Sequence, residues 1–126
     1  MLFKAPFIAD LGVTLIDAGS GWLETELAVA PRLLQQHGYV HAGVVTTLAD
    51  HTAGAAASTM VGSEQSVLTA DFTVHLLRPA SGERLRCRGE VVKVGKRLIV
   101  VQADVWHEES HCARYLGTMA VVDQAL

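Results

Sequence analysis

Asp50 lies inside a run of small and apolar residues, "HGYVHAGVVTTLADHTAG", residues 37 to 54. A carboxylate in a segment built to be buried is costly unless it is partnered or used. A held carboxylate can attack a carbonyl carbon or take a proton from water. The run opens on His41, Ala42 and Gly43, where a helix is expected to start. N–H groups at a helix start are free and sit at the positive end of the helix dipole, so they can receive charge that develops on an oxygen. Gln35, a little upstream, adds an uncharged polar group.

The elements that must position these groups can be read from the pattern. Two strands are expected in "LGVTLIDAGSGWLETELAV", joined at Gly19-Ser20-Gly21. "PRLLQQHGY" reads as a connection with a short helical turn. From Ala42 to about Met60 the chain reads as one helix by its length and its lack of proline. Val44, Val45, Leu48, His51 and Ala55 share a broad face, and the Gly and Ala residues at 53–57 suit close approach of backbones. Four more strands follow, in "SVLTADFTVHLLRPA", "ERLRCRGEVVKVG", "RLIVVQADVWHE" and "HCARYLGTMAVVD", with turns at Gly95-Lys96 and Glu109-Ser110. The order β-β-α-β-β-β-β gives an α+β fold, a single domain over 1–126 with the helix on one face of a curved antiparallel sheet.

Composition narrows the partners. Half of the 126 residues are hydrophobic and the mean hydropathy is +0.30. A domain this small has little interior for so much apolar surface, and association with further copies is the simplest outlet. The net charge is −3 with no long basic run, which argues against nucleic acid. No apolar stretch reaches membrane-span length, and "MLFKAPFIADLG" lacks a signal peptide's apolar core and cleavage site, so a cytoplasmic location is expected. Cys87 and Cys112 read as reduced, half-buried thiols. The six histidines show no metal spacing; His107 and His111 flank a turn, and neither a metal nor another cofactor is expected.

The pattern Gln35-x-x-Gly38-x-x-His41-Ala42-Gly43 followed by Asp50 resembles the hotdog-fold acyl-CoA thioesterases, in particular the PaaI-type enzymes and their hydroxybenzoyl-CoA thioesterase relatives. "FTVHLLRPA", "RCRGEVVKVGKRLIVVQADVW" and "GTMAVV" extend the resemblance over residues 10 to 123. It implies a curved sheet wrapped around one long central helix, and hydrolysis of an acyl- or aryl-CoA to CoA and a carboxylic acid. One position departs from the family's His-Gly-Gly: its first glycine is Ala42. Alanine keeps the N–H, so the donor survives if the local φ suits a residue with a Cβ.

Roles follow by resemblance. Asp50 is the nucleophile or general base, and Gln35 holds the water or the thioester. The Ala42 N–H polarises the carbonyl, Gly43 lets chains approach, and His41 fixes the loop. Arg78, Lys96 and Arg97 are the candidates for the phosphates of CoA, with Arg86 and Arg88 behind them. Asp50 lies eight residues past Ala42, about 12 Å along a helix axis. Both cannot touch one thioester from the same chain, so the site is expected to be shared between the subunits of a homodimer, arranged as a dimer of dimers. Two other functions compete. A non-catalytic acyl-CoA-binding hotdog module would need neither Asp50 nor Gln35, and a hydratase of this fold would need an Asp-x-Asn-x-x-His motif that the chain lacks.

Overall fold

The structure is a computed structural model describing residues 1–126. Alternation of apolar and polar residues builds six strands: β1 (Val13–Gly19), β2 (Trp22–Ala28), β3 (Ser66–Leu76), β4 (Arg84–Val94), β5 (Leu98–His107) and β6 (Ser110–Val122). They form one sheet in the order β1-β2-β4-β5-β6-β3, every neighbour antiparallel. The long helix α2 (Ala42–Ser58) lies against β2 to β6 on one face. This is the α+β sheet-around-helix arrangement that the sequence implies.

Inward residues of the central strands are fully buried: Leu85 and Cys87 on β4, Ile99, Val101, Ala103 and Val105 on β5, Tyr115 and Met119 on β6. Burial pushes the Cys87 thiol pKa up to about 12, as befits an inert thiol. The helix meets these strands through small side chains, with Ala49, Ala53 and Ala56 wholly enclosed. Gly89 on β4 shows how near the backbones come, since a Cβ there would stand 2.9 Å from the Thr52 carbonyl oxygen. Thr52 is the buried polar residue of this contact. Its hydroxyl meets the Leu48 carbonyl and the Thr25 hydroxyl, both at 2.7 Å, so no buried oxygen is left unpaired.

The opposite face of the sheet is charged. Arg88 bonds Glu24 and Glu90, each at 2.6 Å, and lies 4.6 Å above the Trp22 ring. Arg84 pairs with Glu26, and Arg114 with Asp104. Such exposed pairs contribute about 0–1 kcal/mol each. They mark the solvated face, and Arg88 is held there by two carboxylates.

Four details differ from the sequence expectation. A turn of 3-10 helix (Leu2–Lys4) and a short helix α1 (Pro6–Leu11) precede β1. Helix α2 stops at Ser58, two residues before Met60, because the Thr59 hydroxyl bonds the Ala56 carbonyl and accepts from the Gly21 N–H of the β1–β2 turn. The β5–β6 turn is centred on Glu108-Glu109, one residue early, with Glu108 at φ 53°. The buried side of α2 also runs through Ala49, Thr52, Ala53 and Ala56, while Val44 and His51 are half-buried at its margin.

Candidate active site

The start of α2 is shaped by His41. It is the N-cap residue, and its Nδ1 accepts the Gly43 N–H at 2.8 Å. The ring lies so close that a Cβ on Gly43 would approach Nδ1 to 3.1 Å. An Nδ1 that accepts carries no proton, so the ring hydrogen is on Nε2. His41 thus anchors the helix entry. The Gly43 N–H is not free, contrary to the sequence expectation for it. The Ala42 N–H has no acceptor in the chain and is the donor left open at this helix start. Ala42 has an ordinary negative φ, Glu108 being the sole non-glycine residue with a positive one, so its Cβ brings no backbone strain.

Gln35 is held just before this entry. Its Oε1 accepts from the N–H groups of His37 at 2.6 Å and Tyr39 at 3.1 Å. Gly38, at φ +86°, turns the loop so that both donors converge on that oxygen. Gln35 therefore presents its amide NH₂, a donor, to its surroundings. Gln35, His41, Ala42 and Arg78 all line one cavity of about 480 Å³. The Arg78 guanidinium donates to the His111 carbonyl at 3.1 Å, which fixes it at this cavity's wall.

Asp50, at the middle of α2, lines two different hollows. One, of about 320 Å³, is lined by Phe7, Ile8, Thr46, Thr47, His51 and Phe72 beside Asp50. The other, of about 140 Å³, reaches Gly54, Thr69 and Met119. Asp50 Oδ1 accepts from the Tyr115 hydroxyl at 2.6 Å and the Thr69 hydroxyl at 3.0 Å. Burial first, and then the bond to Asp50, push the Tyr115 phenol pKa well up, so it stays protonated and donates. Burial holds the neighbouring His51 pKa down, and the Phe3 ring meets it edge-on at 5.2 Å.

One chain therefore separates its candidate groups. Gln35, His41, Ala42 and Arg78 share a cavity, and Asp50 does not line it. Lys96 and Arg97 are in the β4–β5 turn and line none of these three hollows. The carboxylate's own surroundings, Tyr115, Thr69 and Phe72, escaped the sequence reading. A signal for Tyr115 existed: it falls on the inward face of β6 with a glycine two positions on, where a large polar ring needs both a partner and room.

A family model described as the thioesterase superfamily matches residues 37–113. A crystal structure of a thioesterase family protein from Silicibacter pomeroyi is similar at 35% identity and a TM-score of 0.91, over 95% of this chain and 91% of that one. A thioesterase from Haemophilus influenzae is similar at 25% identity and a TM-score of 0.90, over 97% and 86%. Among curated relatives, the 1,4-dihydroxy-2-naphthoyl-CoA hydrolase of Listeria monocytogenes is 22% identical over 98 residues, 78% of this chain and 80% of that protein.

Proposed function

The chain belongs to the thioesterase superfamily and is a thioester hydrolase of hotdog fold, and we propose that its substrate is an acyl- or aryl-CoA cleaved at a site shared by two subunits. Asp50 of one subunit acts on the thioester as nucleophile or general base. Ala42 of the other polarises its carbonyl. The observation that carries this reading is the open Ala42 N–H at the start of a 17-residue helix, in a cavity that Asp50 of the same chain does not line.

The chemistry then runs as follows. The carboxylate either adds to the carbonyl carbon or removes a proton from the water that adds. Charge moves onto the carbonyl oxygen, where the Ala42 N–H and the positive end of α2 stabilise it. The Gln35 NH₂ is a second donor at that oxygen, since its own carbonyl is occupied by the loop. The C–S bond breaks and the sulfur leaves as CoA thiolate, which takes up a proton. In the nucleophilic route a water then cleaves the acyl–Asp50 anhydride. Both routes give a carboxylic acid and CoA.

Arg78 lines the Ala42 cavity and, in this reading, meets a phosphate of CoA, with Lys96 and Arg97 as further contacts. Arg78→Ala is expected to raise KM for acyl-CoA about tenfold while kcat changes little, because the contact is remote from the reacting carbon. A short thioester without the nucleotide should show no change in KM. An equal loss with that short substrate would make Arg78 a structural residue.

A second copy is required for the shared site. β3 is an edge strand with a row of unpaired backbone groups, and Leu68, Phe72 and Leu76 on it are about half exposed. Light scattering at micromolar concentration is expected to give a dimer or a dimer of dimers, and Leu68→Glu to shift the mass towards the monomer together with a loss of activity. A fully active monomer would sink the shared site.

A further inference from the structure

The two oxygens of Asp50 are not equivalent. Oδ1 takes both hydroxyl donors, Tyr115 and Thr69, and Oδ2 takes none from the chain. We propose that Tyr115 is the positioning residue of the reaction: with Thr69 it holds Asp50 by Oδ1 and presents Oδ2 as the oxygen that acts. This rests on Asp50 being the reacting carboxylate.

The position of Tyr115 is built by its neighbours. It is fully buried on the helix-facing side of β6. Its ring lies along the strand over Gly117, where a Cβ would stand 2.6 Å from the hydroxyl and 2.7 and 2.8 Å from two ring carbons. Gly117 is thus a slot for the ring. From β3, Phe72 stacks on the same ring, with centroids 5.1 Å apart and planes 20° from parallel. The sheet register places Phe72 opposite Gly117. Ring, slot and stacking partner leave the hydroxyl one direction in which to point, and Asp50 lies there. A carboxylate on a rigid helix, gripped at one oxygen by a rigid phenol, loses the rotational freedom that would otherwise blur its aim. Phe72 also lines the hollow beside Asp50, so that hollow's wall and the clamp on the carboxylate are one packed unit.

Tyr115→Phe tests this by removing one oxygen while keeping the ring, the slot and the stacking. The expected result is a fall in kcat of about tenfold, the scale of one hydrogen bond to a charged group, with KM for acyl-CoA unchanged. Thr69→Ser should behave as wild type and Thr69→Val should lower kcat with KM unchanged, an independent arm on the same oxygen. In an Asp50→Asn background, Tyr115→Phe should cost nothing further. A Tyr115→Phe enzyme with wild-type kcat, or one that is merely less heat-stable, would overturn the positioning role while a crippled Asp50→Asn left the reacting carboxylate standing. Full activity in Asp50→Asn would instead remove the carboxylate reading, and this proposal with it.

Discussion

Replacing Asp50 by asparagine is expected to lower kcat at least about 10²-fold, the lower end for loss of a positioned base, with the fold intact. Asparagine has the shape of aspartate and keeps a carbonyl oxygen to accept from Tyr115 and Thr69, so neither hydroxyl is left unpaired in the interior. What it lacks is the negative charge and the basicity, and those are what the reaction needs. KM should change little, because the proposed CoA contacts lie away from Asp50. Gln35→Ala is expected to cost less than Asp50→Asn. It removes one orienting donor and loosens the loop whose His37 and Tyr39 N–H groups its carbonyl gathers. Steady-state kinetics on a panel of acyl-CoAs, following free thiol, checks both variants. Wild-type turnover in a folded Asp50→Asn protein would end the mechanism.

Much of this arrangement is legible in the chain because local rules and tertiary demands agree. Burial alternates along β4 from Leu85 to Gly89 and along β5 from Ile99 to Val105, and the buried faces are those that the sequence reading grouped, Leu85, Cys87 and Gly89, then Ile99, Val101, Ala103 and Val105. The run of small residues in α2 signalled a helix enclosed by other structure, and Gly89 against the Thr52 carbonyl shows the close approach it serves. Two things were harder to see. α1 is only six residues long, too short for a helical period to stand out, although Pro6 at its first position and Gly12 in the left-handed conformation just past its end are ordinary start and stop signals. The Tyr115–Asp50 contact joins residues 65 apart in sequence. Nothing local to either implies the other, and only the order of the strands, with β6 beside β3 and both against α2, brings them together. Gly43 illustrates a competition that spacing alone cannot decide. Its N–H was as eligible as that of Ala42 to face substrate, and the His41 side chain claimed it as a cap.

The proposed shared site makes a demand that a site within one chain does not. Ala42→Pro removes the N–H proposed to polarise the carbonyl, a donor that has no acceptor in the chain. Residue 42 is the first of α2, where proline is favoured because its N–H has no partner in the helix and its fixed φ suits the turn. The residue before a proline must be extended, and His41 already is, at φ −58° and ψ 138°. Ala42→Pro and Asp50→Asn homodimers should each be folded and nearly inactive, since every site in either lacks one group. In a mixed dimer of the two, one site combines both defects. The other combines the intact Asp50 of the Ala42→Pro chain with the intact Ala42 of the Asp50→Asn chain. Co-refolded mixed dimers, separated from the homodimers by two different affinity tags, are the direct measurement. The expected result is about half the wild-type kcat, from one restored site in two. Mixed dimers that are folded and no more active than either parent would contradict a site built from Asp50 of one subunit and Ala42 of the other.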